Sequence, residues 1–209
     1  NRYGGFLAKN TAVGIDIGSE SIKAVLLKKT VAGIFVERFV IKELDLAPEE
    51  YGNPETRKVR IAETLKAISG EKGFNLTSDS VVSFGKGSVN VRLINPPKIG
   101  EAALRNSMSL STPDYIPIDL KEMIWDLQVI QKIEQSGTIN ISGPEKMEVV
   151  LAVVRKPIVY EFLKMFQELK YEPNLIEAPA LASVNYSCLN TPPGLEECWA
   201  KIDMGADAS

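Results

Sequence analysis

The chain has 209 residues, 44% hydrophobic and 24% charged, with a formal net charge of -3, no histidine and two cysteines. That is the composition of a globular protein able to bury a sizeable core, and neither the charge nor any basic run favours nucleic acid as a partner. Without histidine, and with only Cys188 and Cys198, Ser/His and Cys/His nucleophiles, the usual zinc sites and a disulfide scaffold are excluded, so any catalysis must rest on carboxylates, lysine and a bound metal.

Residues 1–10 read as a flexible arm. Alternating hydrophobicity predicts strands at 11–17, 21–29 and 34–41, followed by a loop at 44–52. Asn53 as N-cap and Pro54 at the first helical position open a helix. Ile61, Leu65 and Ile68 form its apolar stripe, and Gly70 or Gly73 ends it. A fourth strand is expected at 81–84, giving a β-β-β-α-β module. Between its first two strands lies Asp16-Ile17-Gly18-Ser19-Glu20-Ser21, with Lys23 two residues on. A glycine lets backbone approach a ligand, and successive amides with hydroxyls make a concavity for anions. Lysine suits phosphate oxygens, and a carboxylate can orient the water shell of phosphate-bound Mg2+. The same residues also fit a plain hairpin turn with a solvated lysine.

From Gly85 the character changes. A strand at 89–93 closes at Pro96-Pro97, and a weakly amphipathic helix is expected at 99–110. A proline-bounded loop follows at 112–119. Met123, Trp125, Leu127 and Val129 alternate within a strand at 122–131, and 147–154 reads as a buried strand. Pro157 starts a helix with Val159, Phe162, Leu163, Phe166 and Leu169 on its apolar stripe. This section is β-α-β-β-α. A strand at 174–178, a helix at 179–189, a proline-glycine loop at 190–196 and a strand at 198–204 complete the chain. The last strand runs into a second Asp-x-Gly turn, Asp203-Met204-Gly205-Ala206. Two opposed turns of this kind can clamp a phosphate tail from both sides.

Gly14-Ile15-Asp16-Ile17-Gly18-Ser19-Glu20-Ser21-Ile22-Lys23 resembles the opening of the actin-like ATPase superfamily. Within it, the chain is similar to the PilM family of type IV pilus machines, related to FtsA. The likeness continues through Ala103-Leu104-Arg105-Asn106, Tyr115-Ile116-Pro117-Ile118-Asp119-Leu120, Trp125-Asp126-Leu127-Gln128-Val129-Ile130, residues 147–155 and Ala178-Pro179-Ala180-Leu181-Ala182. It implies an α/β fold with an actin-like, ribonuclease H-like subdomain 1A at 11–84 and 173–190. A 1C-type subdomain would be inserted at 85–172, and a second domain, largely missing, would begin at 196–209.

The resemblance further implies that Asp16, Gly18, Ser19, Glu20, Ser21 and Lys23, with Asp203, Gly205 and Ala206, hold nucleotide phosphates. Asp16 and Asp203 would reach Mg2+ through its water shell. ATP and Mg2+ are the cofactors implied for the full-length protein, with none expected to stay bound to this span alone. Two positions depart from the pattern. Asp207 stands where actins carry glycine, and Ala178 stands where the family has a glutamate before Pro179. Glu177, the catalytic candidate, lies one residue earlier, where strand alternation turns it to the other face. The function implied is that of a cytoplasmic assembly protein, peripheral at the inner membrane through its partners. Those partners are the N-terminal tail of a PilN-like membrane protein, in a groove between 1A and 1C, and other platform proteins, with self-association also among the expectations. An active ATPase or kinase of the superfamily, with enzymatic activity left open, and an FtsA-like division protein are the alternatives.

Overall fold

The computed structural model describes residues 10–50, 52–74, 79–84, 89–111, 120–130, 146–190 and 200–202. Residues 1–9 of the predicted arm, the proline-bounded loop, residues 191–196 of the proline-glycine loop and the second Asp-x-Gly turn with Asp203, Gly205 and Ala206 lie outside the described residues. The elements in chain order are β1 Thr11–Ile17, β2 Ser21–Thr30, β3 Gly33–Glu43, α1 Pro54–Ser69, β4 Ser80–Phe84, β5 Val89–Ile94 and α2 Glu101–Ser111. They continue with β6 Met123–Ile130, β7 Glu148–Arg155, α3 Lys156–Glu168, β8 Leu175–Glu177 and α4 Pro179–Asn190. The chain divides into two compact units, residues 1–87 with 161–209 and residues 88–160.

The first unit is built on a five-stranded sheet of order β3-β2-β1-β4-β8. β1, β2 and β3 are antiparallel neighbours, while β4 runs parallel to β1 and β8 parallel to β4. Alternation explains the core. Val13, Ile15 and Ile17 of β1 and Ile22, Ala24 and Leu26 of β2 are all buried, on the face that α1 covers with Ile61, Leu65 and Ile68. The helix starts where the sequence places it. Asn53 Oδ1 accepts from the amides of Glu55 and Thr56 at 3.0 and 3.2 Å, Pro54 takes the first position, and Gly70 is the C-cap. Such an N-cap satisfies amides that the helix itself leaves unpaired.

An aromatic run ties β4 to α3. Phe84 stacks on Phe162 with ring centroids 3.8 Å apart, Phe162 lies 6.1 Å from Phe166, and Tyr171 meets Phe166 edge-on at 5.1 Å. The buried arc of α3 passes through Val159, Met165 and Phe166, whereas Leu163 is 41% exposed. The expected stripe was one residue too wide: Leu163 falls on the outer flank of that arc and Met165 takes the inner one.

The second unit holds an antiparallel sheet of order β5-β7-β6, with a core that includes Ile94, Leu104, Met108, Leu127, Val149 and Leu151. Arg105 fixes α2 to β6. Its guanidinium donates to Glu101 Oε1 at 3.0 Å, Asp126 Oδ1 at 2.8 Å and the Leu127 carbonyl at 2.7 Å. The planar fork of arginine suits three fixed acceptors as a lysine would not. β5, α2, β6 and β7 lie in this unit, and α3 begins in it and continues into the first.

Candidate functional site

Three residues, 18 to 20, connect β1 to β2. The Gly18 amide donates to the Ser21 carbonyl at 3.0 Å, and a Cβ on Gly18 would sit 2.9 Å from that same oxygen. Any side chain there would force the turn open, so the glycine is required by close approach of backbone. Two further bonds brace the turn. Arg57 Nη2 of α1 donates to the Gly18 carbonyl at 3.1 Å, and the Leu44 amide donates to the Glu20 carbonyl at 2.7 Å, with the Leu44 side chain buried. Arg57 is a residue the sequence reading missed. Its signal was a basic side chain near the start of a helix, where the dipole favours acids.

The strand registers assemble a row across the sheet. Lys23 pairs with Asp16, Asp16 with Ser83, and Ser83 with Glu177. Registered neighbours share a face, so all four side chains lie on one side, opposite the face that α1 covers. Asp16, Ser83 and Glu177 stand at the carboxyl ends of the parallel strands β1, β4 and β8. Open α/β sheets bind ligands in that place. With strands spaced ~4.8 Å apart, Asp16 and Glu177 are separated by about 10 Å of backbone.

Lys23 Nζ is 3.8 Å from Asp16 Oδ2, and both side chains are about half exposed, at 58% and 49%. Such a pair holds its partners loosely, leaving the lysine able to turn to a ligand. Ser83 is buried, and its Oγ has no hydrogen-bond partner among the described residues. A lone serine within a short apolar strand was its sequence signal. Glu177 is half buried, with Oε1 accepting from the Ala178 amide at 3.2 Å. Its offset by one residue from the family's glutamate position therefore does not separate it from Asp16. Ala178 is the residue turned into the core, and Glu177 takes the face of the row.

Burial pushes the Glu177 carboxyl above its ordinary 4.5, opposed by the Ala178 amide. A carboxyl whose folded value is raised holds its proton longer when folded, so its ionisation costs stability as pH climbs from the ordinary value through the raised one. Glu177→Gln is thus expected to raise the melting temperature at pH 7 and to leave it unchanged near pH 3. Thermal melts at the two pH values check this, and an equal gain at both would refute it.

Among the described residues no three His, Cys, Asp or Glu side chains form a metal cluster. Mg2+ is held by one or two carboxylates together with substrate phosphates and water rather than by a protein cage. Asp16 and Glu177, with the unpartnered Ser83 hydroxyl between them, fit such a role. A separate concavity of about 640 Å3 lies near the ends of α1 and α3, lined by Leu65, Ser69, Phe74 and Tyr171 among others. It touches none of the row. No described helix is long and apolar enough to cross a membrane.

A mixed sheet of this order, opening with a glycine-closed hairpin and carrying an acidic row at its parallel ends, defines an actin-like, ribonuclease H-like subdomain. A solved structure of a PilM–PilN type IV pilus biogenesis complex shares the fold, with a TM-score of 0.65 and 17% identity over 83% of this chain and 49% of that one. The chain thus spans about half the length of that relative. The family model for type IV pilus assembly protein PilM matches residues 14–208, and the chain belongs to this family. The cytoplasmic domain of EpsL, an inner-membrane component of the type II secretion system of Vibrio cholerae, is a weaker likeness. Its TM-score is 0.47 and its identity 10%, over 79% of this chain and 56% of that one.

Proposed function

We propose that the chain serves as an assembly protein of a type IV pilus or related secretion platform, working at the cytoplasmic side of the inner membrane through its partners. In this reading the β1–β2 turn holds nucleotide phosphates. The observation that carries it is the joined geometry of turn and row: a hairpin that only glycine can close, with Lys23, Asp16, Ser83 and Glu177 in register beside it. Lys23 would meet phosphate oxygens, and the amides and hydroxyls of Ser19 and Ser21 would face them, with Glu20 at the tip of the turn. Asp16 would orient water on Mg2+, which supplies charge neutralisation of the phosphates when bound. Asp203, Gly205 and Ala206 would form the opposing turn.

The partner expected is the N-terminal tail of a PilN-like membrane protein. The solved relative is a complex with PilN, and extended segments are bound through main-chain hydrogen bonds and side-chain pockets. In this reading the second unit, residues 88–160, contributes to that binding.

A second reading, an active ATPase, has one observation in its favour. Glu177 shares the row with Asp16 and its carboxyl is raised toward the range of a general base. Lys23→Ala in a protein of the relative's full length separates the two. The assembly reading predicts Mg·ATP binding weakened about ten- to a hundredfold, altered partner affinity and little change in phosphate release. A collapse of phosphate release with partner binding intact would favour the enzyme.

A further inference from the structure

We infer that the chain pairs with a second copy of itself through β3, in an antiparallel arrangement about a two-fold axis between Glu37 and Arg38. β3 is the outer strand of the five-stranded sheet, and among the described residues nothing pairs with its free edge. It is also unusually apolar for an edge. Ile34, Val36, Phe39 and Ile41 are 67, 60, 73 and 58% exposed, whereas proteins blunt free edges with charge or proline.

The hydrogen-bond directions of β3 follow from its neighbour. In β2 the odd-numbered residues face β1: the Gly18 amide donates to the Ser21 carbonyl and the Lys29 amide to the Asn10 carbonyl. The even-numbered ones face β3, the Leu44 amide donating to the Glu20 carbonyl on that side. The β3 residues registered with odd positions therefore direct their own N–H and C=O groups outward. Within residues 34–41 they are Ile34 with Lys29, Val36 with Leu27, Phe39 with Val25 and Ile41 with Lys23.

The register shifts by one between Leu26 and Leu27, which leaves Glu37 as the extra residue of a β-bulge. The shift changes which residues face out, from even numbers before the bulge to odd numbers after it. This is what makes the strand self-complementary. About the proposed axis, Ile34 meets Ile41 of the other copy and Val36 meets Phe39, each outward group opposite an outward group. In an unbulged strand the same register would set outward residues against inward ones, and no ladder could form. On the other face Phe35 meets Val40. At the centre Glu37 faces Arg38 in both directions, so the single pair of opposite charges in this stretch is matched twice. Among the described residues Glu37 is ion-paired with Lys28, at 4.0 Å and partly exposed, a contact easily given up. A two-fold contact of this kind closes on itself as a dimer rather than growing into a fibre.

Charge reversal tests the register as well as the association. The 209-residue chain is expected to sediment as a concentration-dependent dimer in the micromolar range. Glu37→Arg sets four positive charges at the axis and Arg38→Glu four negative ones. Each is expected to weaken dimerisation about tenfold or more. The double variant Glu37→Arg/Arg38→Glu restores the pairs and should dimerise as the parent does. An equimolar mixture of the two single variants should form a heterodimer, which also shows that both are folded. A parent chain that stays monomeric at about 100 μM, where even weak specific pairs begin to form, overturns the inference. So does a dimer indifferent to either single reversal, a species larger than a dimer, or failure of the mixture to associate.

Discussion

Excision of residues 88–160, bridged by a short glycine-serine linker, is expected to abolish binding of a PilN-like tail while the remaining unit stays folded. The first unit keeps what holds it together. Its sheet is formed wholly by β1, β2, β3, β4 and β8, and α1 buries Ile61, Leu65 and Ile68. The aromatic run from Phe84 to Tyr171 also lies within it. Because the rings of Phe84 and Phe162 stack at 3.8 Å, a short linker is enough to carry the chain from β4 to α3. An extended peptide gains its affinity from many small contacts that together offset its loss of chain entropy. Removing the contacts of one unit therefore takes the total below detection instead of scaling it down. Calorimetry with a synthetic tail peptide measures the loss, and circular dichroism shows that the sheet remains. Unchanged affinity would mean that the second unit takes no part.

Phe166→Ala is expected to cost about 3–5 kcal/mol of stability. The side chain is 1% exposed and meets aromatic rings on two sides, Phe162 at 6.1 Å and Tyr171 edge-on at 5.1 Å. Truncation removes the buried area, leaves a cavity lined by rigid rings that collapse poorly, and forfeits ring–ring contacts worth about 0.5–1.5 kcal/mol each. Against a total of about 5–15 kcal/mol for a domain, that is a large share. Denaturant unfolding monitored by fluorescence reads it directly. A loss below about 1 kcal/mol, the size of an ordinary surface change, would show that the aromatic run is not a core.

Local chemistry made much of this legible. Asn53, Pro54 and Gly70 delimit α1 where caps predict, because capping depends on residues adjacent in the chain. The strand–glycine–strand opening and the β-α-β-β-α order of residues 89–168 were readable from periodicity for the same reason. What depended on distant registers was not. Glu177 looked misplaced from its offset relative to Pro179. Its face is set by how β8 aligns with β4, and a one-residue slip reverses every side chain. Arg57 braces a carbonyl 39 residues away in sequence, and Ser83 gains its meaning only from lying between Asp16 and Glu177. For β3, alternation shows which apolar residues share a face, but it is silent on whether anything covers them.

Nucleotide binding by this chain requires that the β1–β2 turn receive phosphate. The most direct measurement is the change in backbone amide resonances of the chain on titration with Mg·ATP, since even millimolar binding shifts them measurably. The expected result is a saturable set of shifts confined to residues 16–23, with Ser83 and Glu177 following, and their loss in Lys23→Ala. Shifts that leave the turn untouched, or that gather instead around Leu65, Phe74 and Tyr171, would contradict it.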